Sequence, residues 1–315
     1  MNSATRNAYG EGLKQLVSNP NVVVLEADLG AATKSEEFAK VCPQRYFNMG
    51  IAEADMVGTA AGLAAAGKTP FASSFAVFIA GRAFEQIRNS VCYPNLNVKL
   101  VGSHAGISVG PDGGSHQSIE DIALMRSLPN MTVLCPADDV EAKAAVLAAA
   151  DHYGPVYIRT GRMPVATFHE ENKTFTIGKG EILKEGTDLS IIACGLMVQE
   201  ALKAAEQLEQ EGISARVVNM ATIKPLDTEL VLDCAQKTGR IVTAEEATVY
   251  GGLGSAVAEV VAQACPVPVF RVGVKDKFGK SGEAHVLLEE YGLSAKAIVD
   301  QAKAMLKAWP IDHTK

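Results

Sequence analysis

The stretch "RYFNMGIAEADMVGTAAGLAAAG" (45–67) decides how this chain folds. A Gly-Ile-Ala turn hands one carboxylate, Glu53, to a run of small and apolar residues, which predicts a helix over 52–67. Upstream, "NVVVLEAD" (21–28) is a β-branched run that ends in acid, the pattern of a buried strand. Downstream the alternation goes on. An amphipathic helix is predicted over 80–92, strands over 97–103, 132–136 and 156–160, and a helix over 138–154. Strands alternating with helices imply right-handed crossovers and a mostly parallel sheet, an α/β fold. Glu53 itself has two readings. It opens a helix, where the dipole favours negative charge, or it works somewhere dry.

From about Pro164 to Thr187 the periodicity weakens and polar residues dominate, which predicts a surface-hugging linker over 166–187. It divides a first domain, 1–165, from a smaller second one, 188–315. The second half repeats the α/β pattern, with strands over 189–195, 214–220, 239–246 and 267–274 and a helix over 197–212. Its "GGLGSAVAEVV" (251–261) lacks the full G-x-G-x-x-G fingerprint, and small residues opening a helix explain it without a ligand. His285 and His313 have no evident partners and read as surface residues. The chemistry is expected in the first half.

The 315 residues suit two domains of ordinary size. Apolar residues at 48% against 21% charged exclude a disordered chain. A net charge of -7 disfavours nucleic acid and anionic membrane as partners but leaves room for a local basic pocket. The six cysteines form no CxxC pair and read as buried reduced thiols of a cytoplasmic protein. The N-terminus lacks an apolar signal region, and charge and glycine break every apolar run short of a membrane span.

Three clusters follow predicted strands, where open α/β sheets bind ligands. They are "EADLGAAT" (26–33), "GIAEADM" with "SSFAVF" (73–78), and "GSHAGISVGPDGGSHQS" (102–118). The last is a long glycine-rich loop with His104, Asp112 and His116, more than a connection needs, although Gly, Asp and Ser are also plain turn residues. Zinc is disfavoured, since there is no H-E-x-x-H, no cysteine in the loop and no common His–His spacing. A serine hydrolase is disfavoured by the missing G-x-S-x-G elbow.

The order of G-I-A-E, the two-phenylalanine "SFAVF" segment, "GPDGGSHQ" and "YIRTGR" resembles the pyrimidine-binding domain of transketolase. The second half, with "IKPLD" and "DKFGKSG", resembles the C-terminal domain of that family, so the resemblance covers nearly the whole chain. It implies thiamine diphosphate as cofactor and transfer of a two-carbon ketol unit from a ketose to an aldose, with sugar phosphates as substrates. Family members carry a G-D-G motif and a later Asn that bind the diphosphate through Mg²⁺ (or Ca²⁺ or Mn²⁺). No Gly-Asp-Gly occurs here. The chain therefore looks like the C-terminal subunit of a split transketolase, its metal held by an N-terminal partner subunit in an α₂β₂ heterotetramer.

The resemblance also implies roles. Glu53 matches the glutamate that contacts the cofactor's pyrimidine, where a group that gives and accepts a proton suits a tautomer switch. Phe75 and Phe78 would flank the pyrimidine, Ile51 would support it, and Asp28 and Leu29 would lie nearby, Asp28 reading equally as a turn acid. His104 and His116 match residues that bind the donor and move protons, and Asp112 one that binds an acceptor hydroxyl. Arg159 matches an arginine that grips the sugar phosphate, and Arg6 is a second such ligand or a solvated helix arginine. The family's serine in the first loop is replaced by Ala31 and Ala32 with Thr33 near, and Gly81 stands near the place of a tyrosine. Rival readings are the β subunit of a 2-oxo acid dehydrogenase, a 1-deoxyxylulose-5-phosphate synthase-like enzyme, and a non-catalytic regulatory subunit.

Overall fold

The computed structural model describes residues 2–310, so His313 lies outside the described residues. The strands form two large sheets and one two-stranded ribbon. In chain order these are β1 (Asn2–Ser3), β2 (Val22–Glu26), β3 (Tyr46–Asn48), β4 (Thr69–Phe75), β5 (Lys99–Ser103), β6 (Thr132–Leu134) and β7 (Val156–Arg159). There follow β8 (Val165–Ala166), β9 (Glu181–Lys184), β10 (Leu189–Ala193), β11 (Ala215–Asn219), β12 (Thr222–Lys224), β13 (Ile241–Thr248) and β14 (Val269–Val274).

The first sheet has seven strands in the order β12-β6-β7-β5-β4-β2-β3, parallel apart from the edge strand β12. The second has five in the order β14-β13-β10-β11-β9, parallel apart from β9. Helices pack on them, as parallel crossovers require. β2, β5, β6 and β7 are buried along their whole length, which is why they read as apolar runs rather than alternations.

Three features go beyond the sequence reading. β4 sits in the middle of the first sheet, yet "TPFASSF" hides it behind a proline and two serines. Pro70 pairs only with β2, because the β5 register begins one residue later at Phe71. Ser73 bonds the Tyr9 hydroxyl and Ser74 bonds Glu53, so both serines are buried with partners. The helix expected over 80–92 begins earlier, at Ala76, directly after Phe75, breaks at Ala83, and ends in a π-helical turn over Ile87–Cys92.

The span read as a linker is structured as well. β8 pairs with β1 and β9 joins the second sheet. His169 is buried between Asp138 Oδ2 and Glu181 Oε2, 3.0 Å from each, and pins this span to the helix Asp139–Asp151. β12 then crosses back to pair with β6, so the two halves share the first sheet. The six cysteines are unpaired and five are buried. Among the described residues no helix is long and apolar enough to cross a membrane.

Candidate cofactor and substrate site

The parallel strands of the first sheet all deliver their C-terminal ends to one edge, and the candidate residues collect there. β2 leads to Asp28 and Leu29, β3 to Ile51 and Glu53, β4 ends on Phe75, β5 leads to His104, and β7 to the loop after Arg159.

Glu53 is the first residue of the helix Glu53–Ala65 and is only 2% exposed. Its surroundings are not the bare apolar ones that the sequence suggests. Ser74 Oγ donates to Oε1 at 3.1 Å, and Arg82 Nη1 stands 3.3 and 3.2 Å from Oε1 and Oε2. Ile51 is turned outward, 76% exposed, and walls nothing within this chain. Arg82 is half exposed, and its guanidinium lies 4.1 Å from the centre of the Phe78 ring. A planar cation thus stacks on Phe78 while it donates N–H to Glu53. A flat, protonated aminopyrimidine needs the same two contacts, so the residues present fit such a ring once Arg82 swings aside. Gly81 leaves open space beside this face, since nothing lies within 4 Å of where its Cβ would be.

Phe75 and Phe78 differ in role. Phe75 is 7% exposed and stacks on His104 with ring centres 3.9 Å apart. Phe78 is half-buried, nearly parallel to Phe75 at 5.9 Å, and presents the more accessible ring. Their centres are too close to admit a third ring between them. His116 meets both edge-on, at 6.2 and 5.3 Å. Four of the predicted residues therefore form one aromatic cluster.

His104 is 2% exposed and holds a left-handed backbone, φ 55°. Strain of this kind in a residue with a Cβ is common at functional sites. Arg6 Nη1 lies 3.0 Å from its Nε2, and arginine only donates, so Nε2 is the acceptor. Nδ1 then carries the proton and donates to Ser103 Oγ at 2.9 Å. Burial, followed by the charges of Arg6, Arg162, His116 and Lys34, pushes the His104 pKa down to about 3. In this arrangement it acts as a neutral acceptor near pH 7.

The same neighbours form a basic cluster. Arg6 bonds Ala32 O at 2.9 Å, and burial and Arg162 lower its pKa. Arg162 reaches Val109 O at 3.0 Å and Asp112 at 3.2 Å. Lys34 ends the turn after Leu29 in left-handed backbone, φ 71°. Thr33 is turned inward onto Gly30 O and Ser35, so it does not take the place of the absent serine. The loop itself is held by Glu26, whose carboxylate accepts from Leu29 N at 2.5 Å. Asp28, exposed and at φ 59°, accepts from Asn48 Nδ2 at 3.2 Å, which ties the first and second clusters together.

Arg159 stands apart from the role expected of it. It is 5% exposed, with Nε 2.9 Å from Asp121, and Nη2 donates to Glu246 O at 2.8 Å and more weakly to Ser118 O. It locks the two domains together rather than facing the cleft. The reason is position: Arg159 is the last residue of a fully buried strand, whereas Arg162, three residues on, has left the sheet. That signal was present in "YIRTGR", because loop residues past a strand end are the ones that reach the edge. Arg82, Ser74 and Lys34 carry no such signal, since their partners are remote in sequence.

Comparison with known proteins places the chain in the transketolase family. The family model "Transketolase, pyrimidine binding domain" matches residues 2–166, and "Transketolase, C-terminal domain" matches 178–298. The chain is 49% identical over 306 residues to a putative transketolase C-terminal section of Methanocaldococcus jannaschii, covering 96% of each. It is 49% identical over 290 residues to a 6-deoxy-6-sulfo-D-fructose transketolase subunit of a Clostridium species, covering 92% of this chain and 90% of the relative. A solved structure described as a split gene transketolase, an inactive beta4 tetramer, superposes with TM-score 0.89 at 53% identity, over 96% of this chain and 98% of that one.

Proposed function

We propose that this chain, which belongs to the transketolase family, is the pyrimidine-facing subunit of a two-chain enzyme that moves a two-carbon ketol unit from a ketose to an aldose. The observation that carries this reading is the buried Glu53 carboxylate, open to the cleft only through the Arg82 guanidinium that stacks on Phe78. Bound thiamine diphosphate supplies the carbon nucleophile that takes up the two-carbon unit. Glu53 would meet the ring nitrogen of the pyrimidine and share a proton with it, and Phe78 would carry the ring and exclude water. Asp28, Leu29 and Ile51 border the same edge.

His104, His116 and Asp112 orient the sugar. His104 offers an N–H or an acceptor nitrogen without charge, and His116 is exposed enough to exchange a proton with substrate. Arg6, Arg162 and Lys34 suit an anionic tail on the sugar, and Arg162 takes the part first expected of Arg159. A phosphate fits this set. A sulfonate fits its charge too, in keeping with the substrate named for the Clostridium relative. No G-D-G motif occurs in this sequence, and Phe47 and Ile51 are 44% and 76% exposed beside the site. Both facts support a partner subunit that brings the diphosphate- and Mg²⁺-binding half, in an α₂β₂ assembly.

The test is Glu53→Gln in the complex reconstituted with that partner, assayed for ketose-dependent transfer to an aldose. Turnover is expected to fall about 10²- to 10⁴-fold, the usual worth of positioned proton transfer. Unaltered turnover overturns the role of Glu53. Release of CO₂ from a 2-oxo acid by the unmutated complex, without ketol transfer, overturns the reaction class.

A further inference from the structure

The second domain carries little chemistry of its own, yet it touches the glycine-rich loop at several points. Gln117, 3% exposed, directs its amide nitrogen at three carbonyls: Ile107 O at 3.2 Å, Gly110 O at 3.3 Å and Lys280 O at 3.0 Å. Three acceptors fix which end of the amide is nitrogen. Two of them lie within the loop and the third lies on "DKFGKSG" (276–282) of the second domain. The contact is backbone against backbone. A Cβ on Gly114 would meet Gly279 O at 2.5 Å, and one on Gly279 would meet Gln117 Oε1 at 1.7 Å. Glu246, at 4% exposure, accepts from Ser108 N at 2.6 Å and grips the start of the same loop. The 276–282 segment is anchored in turn by Tyr291, whose hydroxyl donates to Phe278 O at 2.8 Å.

His116 and Asp112 lie between these grips. His116 N donates to Gly113 O at 2.9 Å, one turn from Gln117. We propose that the second domain moulds this loop through Gln117, Glu246 and the 276–282 segment, so that it positions His116 for the donor and Asp112 for the acceptor without touching the substrate. Gln117 and Glu246 are positioning residues in this scheme. Its functional side rests on the reading of the loop as substrate-facing. Its mechanical side does not, because the grip exists in the isolated chain.

The experiment therefore has two arms. In the first, hydrogen exchange is followed at amides 106–116 of the isolated chain. Gln117→Met keeps the bulk and removes the three donated bonds, and Gly279→Ala pushes a methyl group at the amide. Both are expected to speed exchange in this loop at least tenfold while circular dichroism is retained. In the second arm, the reconstituted complex is assayed. The acceptor KM is expected to rise tenfold to a hundredfold, with kcat less affected and half-saturation by thiamine diphosphate within twofold, since small misplacements of an orienting group have effects of that size. The double variant Gly279→Ala/Gln117→Ala should be little worse than Gln117→Ala, because the methyl then meets only the tip of the Ile107 side chain, at 3.2 Å, which can give way.

Unchanged exchange in both single variants overturns the proposal. So does an acceptor KM within twofold of the unmutated complex, or a rise matched by an equal loss of cofactor affinity. Absence of ketol transfer in the unmutated complex would overturn the proposed function instead, and the exchange arm would still decide whether the second domain holds the loop.

Discussion

Two buried glutamates open this molecule to comparison. Glu53 begins a helix in the first domain, and Glu245 lies on β13 beside the start of the helix Leu253–Ala264 in the second. Both are shielded from water, at 2% and 1% exposure. Their partners differ. Glu53 is held by side chains, Ser74 and the half-exposed Arg82, and these can move. Glu245 accepts from backbone Leu253 N and Gly254 N, each at 2.8 Å, and these cannot. Burial pushes Glu245 up to about 6. The "GGLG" turn that hinted at a dinucleotide is thus plugged by the chain's own carboxylate, whereas the "GIAE" turn leaves its carboxylate at the cleft. A carboxylate at a helix start becomes available for chemistry only where its partners are replaceable.

Exchanging the roles by mutation is the strongest way to break this comparison. Beside the large loss of turnover expected for Glu53→Gln, its thermal midpoint should stay near that of the unmutated chain. Glu245→Ala should behave in the opposite way. It strands two buried N–H donors, costs at least ~2 kcal/mol of stability, and leaves turnover per folded molecule within a few-fold. Denaturant melts and assays of the same preparations check both, and a stability loss confined to the Glu53 variant would undo the distinction.

Arg82→Met sharpens the point at a smaller scale. The guanidinium must leave before a pyrimidine can occupy the face of Phe78. Removing it forfeits only a half-exposed ion pair and a cation–π contact, together about 1–1.5 kcal/mol. The concentration of thiamine diphosphate that half-activates the complex should fall by about fivefold to tenfold. A rise would mean that Arg82 remains in the loaded site as part of the cradle.

The last effect expected is one of pH. The unfolded chain binds a proton at His104 near pH 6.5, while the folded chain resists it down to about 3. Between these values the unfolded state holds more protons, so stability at this residue is fully present above about 6.5 and is lost as pH falls toward 3. The pH slope of unfolding free energy over that window should flatten in His104→Gln. An unchanged slope would place the effect elsewhere.

The parts of the site that were legible lie on one continuous segment. Glu53 opens the helix predicted over 52–67 and His104 follows the strand predicted over 97–103, and the structure gathers them with Phe75, Phe78 and His116 at one edge. What escaped depends on pairing across the chain. β4 was hidden because Pro70 and two serines suit a central strand only when its neighbours leave the proline unpaired on one side and satisfy the hydroxyls. Within "YIRTGR" the register of β7, not the motif, decides which guanidinium stays in the sheet. Arg82 was invisible because its partner lies on another helix.

By itself the sequence determined the α/β class and the kinds of residue offered at the edge, because periodicity and composition are local and act on every copy of a pattern alike. Only the tertiary structure decided which carboxylate is free and which is a plug, which arginine faces the cleft, and that "DKFGKSG" of the second half braces the loop of the first. These outcomes turn on hydrogen bonds between residues far apart in the chain, and a buried polar group is satisfied or stranded only by what the fold brings next to it.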